Sequence, residues 1–166
     1  MKKTFVLIIL SFCLLVSCKK SDNKCVYAES SVVANGAEIV HLQNYLAANA
    51  IVATQHSSGI FYSIHTAGTG TVPQICSNVK VKYTASILGG AIVESNMAVD
   101  GITYILGQLI LGCQKGLPLI RPGGSITLYI PPSMAYGNVP KLDNLGNVLI
   151  PASSYLQFDF NLLDVL

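Results

Sequence analysis

The chain has 166 residues, 51% of them apolar and 11% charged; that is ample for one packed core and too short for a two-domain nucleotide-binding enzyme or a full α/β barrel. Its formal charge of +2 is uneven, because Lys2, Lys3, Lys19, Lys20 and Lys24 are five of its ten basic residues. From residue 25 onward five bases (Lys80, Lys82, Lys115, Arg121 and Lys141) face seven acids, and no basic footprint for nucleic acid remains.

Residues 1–17 read as an address. Lys2-Lys3 precedes an apolar run, Thr4 to Val16, that is too short to span a bilayer and fits a secretory signal. The run ends in Leu15-Val16-Ser17-Cys18, which resembles the bacterial lipobox and implies cleavage before Cys18 and lipid on its thiol; the alternative is plain secretion with Cys18 incidental. Each buried acyl methylene contributes about 0.8 kcal/mol, so two or more chains anchor stably. By resemblance to Gram-negative lipoproteins, Lys19 in place of an aspartate favours the outer membrane, on its periplasmic face or at the cell surface. Residues 18–37, rich in Lys, Ser and Asn without a sustained period, read as a tether.

Residues 38–58 hold a helix and a linker. Ile39, Leu42, Tyr45, Leu46 and Asn49 recur at helical spacing, giving an amphipathic helix that needs a partner face. From residue 59 the period becomes that of strands. Ile60, Tyr62 and Ile64 share one face, and Val79, Val81, Tyr83 and Ala85 alternate with Lys80, Lys82 and Thr84, as expected for an antiparallel sheet covered on one side. After Gly89-Gly90 come two short strands, Ala91 to Glu94 and Ile102 to Leu106. The glycine-bounded stretch from Gly107 to Leu117 has room for two or three turns of one central helix. Two core strands follow, Ser125 to Ile130 with Ile126, Leu128 and Ile130 inward, and Tyr155 to Leu162 with Leu156, Phe158, Phe160 and Leu162 inward. Between them, residues 131–154 with four prolines form an irregular loop, and loops of that length are usually functional.

Of five cysteines, Cys13 lies in the signal and Cys18 is the lipidation candidate. Cys25 and Cys76 sit among polar, turn-like residues, whereas Cys113 lies in an apolar helical stretch; the preferred bridge in an oxidising compartment is Cys25 to Cys76, which would contribute about 4 kcal/mol by loop closure. The alternative is three free thiols. His41, His56 and His65 are too scattered to suggest a metal site.

The segments VKVKYTASILGGAIVES, LGQLILGCQKGL, IPPSMAYG and IPASSYLQFDFNLLDV, in that order and spacing, resemble the FKBP-type peptidyl-prolyl isomerases over residues 59–166. The resemblance implies an α+β fold, a twisted antiparallel β-sheet wrapped on one short central α-helix, here with an N-terminal helix added. It places Tyr83 on the family's pocket-wall tyrosine, Glu94 on its usual aspartate, and Leu109 and Ile110 on the pair at the helix start. Tyr136 falls on its loop tyrosine, and Ile150 and Phe158 on its aliphatic and aromatic closing residues. Cys113 stands where an aromatic floor is usual, Val93 where a phenylalanine precedes the acid, and Ile102 or Tyr104 replaces another aromatic, implying a wider or differently shaped cavity.

Tyr83, Glu94, Ile110, Tyr136 and Phe158 are thus the candidate catalytic set, and Val93, Ile102, Tyr104, Leu109, Cys113 and Ile150 the candidate substrate-binding set. The implied activity is prolyl isomerisation assisting the folding of exported, proline-containing polypeptides, by a monomer that uses no cofactor and no metal. The lost pocket aromatics favour an alternative, a lipid-anchored, catalytically weak peptide-binding or chaperone module. A carbohydrate-binding β-sandwich would want exposed aromatic platforms, and the chain has no Trp.

Overall fold

The computed structural model describes residues 25–166; the signal segment and Cys18 lie outside the described residues. In chain order the elements are α1 (Gly36–Ala48), β1 (Thr54–Gln55), β2 (Phe61–Thr66), β3 (Asn78–Ile87), β4 (Ile92–Asn96), β5 (Ile102–Ile105), α2 (Leu111–Gly116), β6 (Ser125–Ile130), β7 (Lys141–Leu142), β8 (Val148–Ile150) and β9 (Leu156–Val165). Short 3₁₀ turns at Leu106–Gln108, Leu117–Leu119 and Pro132–Met134 complete them.

The strict alternation in β3 and β9 makes these the central strands. Val79, Val81, Tyr83 and Ala85 of β3 and Leu156, Phe158, Phe160 and Leu162 of β9 are all buried, and the pairing sets Tyr83 opposite Phe160 and Ala85 opposite Phe158. Directly paired residues share a face, so register alone assembles one continuous apolar surface. The sheet runs β1-β2-β6-β9-β3-β4 with every pairing antiparallel, and β5 shares the outer edge of β3 with β4. The architecture is therefore α+β, with α2 packed on the core face. Gly112 and Gly116 let the helix approach closely: a Cβ at Gly116 would sit 2.9 Å from Leu128 Cγ, and one at Gly112 would sit 2.7 Å from Ile130 Cδ1.

Four features depart from the sequence reading. First, α1 begins at Gly36, where the Asn35 side chain accepts from the Glu38 N–H at 2.9 Å and caps the helix. Second, the sheet is not solvated across its whole outer face. Leu42 and Leu46 of α1 bury Phe61 and Tyr129 there, so Phe61 is buried while Ile64 is 43% exposed. Third, the central helix is only six residues long. Leu109 and Ile110 are extended, with ψ of 166° and 152°, between the 3₁₀ turn and α2. Fourth, residues 131–154 are partly ordered into structure: β7 and β8 form a two-stranded ribbon whose turn is held by Asp143, which accepts from the Leu145 and Asn147 N–H groups at 2.8 Å each.

The segment expected as a tether lies against the domain from Cys25 on. Cys25 and Cys76 form a disulfide with Cα atoms 5.7 Å apart, Lys115 pairs with Glu29 at 3.2 Å, and Ala34 donates to the Ser58 carbonyl at 2.9 Å. Among the described residues no helix is long and apolar enough to cross a membrane.

Candidate active site

The core face of the sheet is not fully covered by six residues of helix. Where β3, β4 and β5 extend past α2, the uncovered surface forms a cavity of about 280 Å³. Its inner wall is aromatic because Tyr83, Phe158 and Phe160 are brought onto one face by the β3–β9 register. The Phe158 and Phe160 rings stack with centroids 5.5 Å apart, and Tyr83 lies 5.7 Å from Phe160. Cys113 of α2 also lines the cavity. Its thiol is buried, and burial pushes its pKa up, so at neutral pH it presents an uncharged, apolar surface.

Leu109 and Ile110 enter the lining through the extended break before α2. The Ile110 carbonyl accepts from the N–H groups of Cys113 and Gln114 at 2.9 and 3.1 Å, and the Gln114 side chain donates to the carbonyls of Leu109 at 2.7 Å and Gly107 at 3.2 Å. The turn itself hangs from the Cys76 segment, since the N–H groups of Leu106 and Gly107 donate to Ser77 and Ile75 at 2.9 and 2.7 Å.

The mouth is polar. Glu94 lies opposite Ala85, hence on the same face as Tyr83, and the Tyr83 hydroxyl donates to its Oε1. The Tyr83 and Tyr104 hydroxyls are 3.1 Å apart. Burial, then the bonds to Glu94 and Tyr104, drive the Tyr83 pKa upward, so it remains a neutral donor. Across the opening, Lys141 Nζ lies 3.3 Å from Glu94 Oε2 and 3.3 Å from the Tyr136 hydroxyl. Partial burial opposes the ammonium, but the Tyr136 and Glu94 oxygens outweigh it and raise the lysine pKa.

Eight of the residues expected at the site thus meet at one cavity: Tyr83, Glu94, Tyr104, Leu109, Ile110, Cys113, Tyr136 and Phe158. Three do not line it. Ile150 is 2% exposed and sits within the core. Val93 falls at the register shift in β4, which puts Glu94 rather than Val93 opposite Ala85. Ile102 lies opposite Val81 and packs against the core. Gln108, Lys141 and Phe160 are lining residues that the sequence reading did not single out. The alternation of β9 already places Phe160 on the face of Phe158; Lys141, between Pro140 and Leu142, carries no local signal of its role. Among the described residues no cluster of three or more His, Cys, Asp or Glu side chains forms a metal site.

A curled antiparallel sheet on a short helix, with a preformed apolar cavity rimmed by hydroxyls, defines a class of protein suited to holding an apolar ring. The chain belongs to the FKBP-type peptidyl-prolyl cis-trans isomerase family, whose sequence model matches residues 70–163. It is similar to the FKBP-type isomerase FkpA of Escherichia coli K12, 34% identical over 110 residues that make up 66% of this chain and 38% of that protein. Over 111 residues it is 39% identical to FkpA of Buchnera aphidicola, covering 66% of this chain and 42% of that one. The chain therefore spans well under half the length of these curated relatives. The crystal structure of Escherichia coli FkpA superimposes with a TM-score of 0.65 at 30% identity, covering 78% of this chain and 59% of that one. A peptidyl-prolyl isomerase structure from Pseudomonas syringae shares the fold at 23% identity, with a TM-score of 0.65 over 82% of this chain and 98% of that one.

Proposed function

We propose that the protein is a peptidyl-prolyl cis-trans isomerase that assists the folding of exported, proline-containing polypeptides. The observation that carries this reading is the aromatic-walled cavity of about 280 Å³ with a hydroxyl-bearing mouth, on a chain of this family. A prolyl ring carries no donor to satisfy, so an apolar wall holds it without leaving a polar group unpaired.

Rotation about an X-Pro amide is opposed by about 18–20 kcal/mol of lost resonance, and no bond to a nucleophile or metal is needed to lower it. An acceleration of about 10⁴ requires the twisted amide to be held about 5.5 kcal/mol more tightly than the planar one. The walls formed by Phe158, Phe160, Leu109, Ile110 and Cys113 exclude water from the amide, which favours its twisted, less polar form. Tyr136 donates its hydroxyl proton to a substrate carbonyl. Glu94 fixes the Tyr83 hydroxyl, whose ring is part of the wall. In this reading the protein works as a monomer.

The Cys25–Cys76 disulfide supports an oxidising, exported location. In this reading lipid on Cys18 holds the domain at the outer membrane; Cys18→Ala then shifts the protein from the membrane fraction to the soluble fraction.

The activity is tested by proline-limited refolding of a client. The slow phase should accelerate in proportion to substoichiometric protein. A slow phase that does not change, with aggregation suppressed only at stoichiometric amounts, would establish the peptide-binding alternative instead.

A further inference from the structure

The polar belt across the cavity mouth has a direction. An ammonium has three protons and no lone pair, and a carboxylate accepts only. At its 3.3 Å contact with the Tyr136 hydroxyl, Lys141 must therefore donate and the tyrosine oxygen accept. The phenolic proton is left to point away from the ammonium. Among the described residues, no other hydrogen bond engages that hydroxyl.

Glu94 determines where the lysine sits. Its Oε2 holds Lys141 Nζ at 3.3 Å while Oε1 accepts from Tyr83. Because Tyr83 spends its proton on the carboxylate, it accepts from Tyr104 at their 3.1 Å contact. The donors thus run from Tyr104 to Tyr83 to Glu94 on one side, and from Lys141 to both Glu94 and Tyr136 on the other. The ammonium also lies 5.3 Å from the Tyr136 ring centroid, which pins the ring as well as the hydroxyl.

We propose that Lys141 is a positioning residue for isomerisation: by occupying the acceptor side of the Tyr136 hydroxyl, it turns the phenolic proton toward the carbonyl of the bound peptide. This rests on the reading of Tyr136 as the donor to substrate. Glu94 acts in the same assembly by holding the ammonium over the mouth.

The test is a cycle of four variants, with kcat and KM measured on a proline-containing peptide. Tyr136→Phe removes the donor and lowers kcat. Lys141→Met keeps the stem and removes the ammonium; it lowers kcat by about 3- to 10-fold, the loss of one net hydrogen bond, while KM changes by less than about 2-fold. Lys141→Arg keeps a donor and recovers most of the loss. The double variant Lys141→Met/Tyr136→Phe is no slower than Tyr136→Phe alone. The proposal is overturned if Lys141→Met slows the Tyr136→Phe enzyme as much as it slows the parent, or leaves kcat unchanged where Tyr136→Phe lowers it. A silent Tyr136→Phe overturns the donor reading of Tyr136 and this proposal with it.

Discussion

Opening the Cys25–Cys76 disulfide perturbs both stability and the cavity, by a route that can be followed residue by residue. The bridge spans 51 residues of sequence; the loop-closure entropy it removes from the unfolded chain corresponds to about 4 kcal/mol at 25 °C. For a domain of this size that is roughly 8–16 °C in Tm. Locally, Cys76 lies between Ile75 and Ser77, whose carbonyls receive the N–H groups of Gly107 and Leu106. On the other side of the bridge, Tyr27 lies so close to Gly107 that a Cβ there would be 2.7 Å from Tyr27 Cβ. Releasing Cys25 frees this strap and loosens the turn that delivers Leu109 and Ile110 to the cavity. Thermal melts of the parent with and without reductant, and of Cys25→Ser/Cys76→Ser, should show the same drop. Hydrogen exchange at Leu106 and Gly107 should accelerate together. A Tm shift below about 3 °C, or unchanged protection of those two amides, would refute the reasoning.

Three further outcomes follow from particular contacts. Native Cys113 should resist alkylation at pH 8 and react fully in denaturant, because burial raises its pKa; peptide mapping that finds label on Cys113 in the folded protein would contradict that burial. Gly116→Ala should destabilise by about 1–3 kcal/mol, since the new Cβ meets the Leu128 side chain, and an unchanged denaturation midpoint would show that α2 can shift away. His56 has its pKa lowered from 6.5 by burial and then by Lys115, and its Nδ1 accepts from the Ser58 N–H at 3.1 Å. The unfolded chain therefore binds the proton more readily. The stability due to neutral His56 is complete above about pH 6.5 and is lost as the pH falls toward the folded-state value. Melts between pH 7.5 and 5.5 should show a decline that His56→Gln flattens, and equal slopes would rule His56 out.

Some of this was legible locally. The alternation of β3 and β9 identified their buried faces, because a strand that shows one side to the core repeats its apolar residues every second position. The same rule misassigned β2. Phe61 looks outward by alternation with Ile60, and only the packing of α1 on that face buries it. The break at Leu109-Ile110 was invisible for another reason: glycines and apolar residues at helical spacing suit a helix and a helix with an extended entry alike. Ile150, Val93 and Ile102 occupy suitable positions in sequence order, yet the first is buried in the core, the third packs against it, and a register shift displaces the second.

Local pattern in the sequence was enough to show which segments form the long core strands, which faces of β3 and β9 are apolar, and which cysteines lie among polar residues. Those properties depend on neighbours within a few positions. The tertiary structure alone decided that Lys141 stands between Glu94 and Tyr136. Glu94 and Lys141 are 47 residues apart, and what brings them together is the register of β3 with β4 and the fold of the ribbon over the cavity. That register is the sum of packing across the whole sheet, which no local pattern encodes.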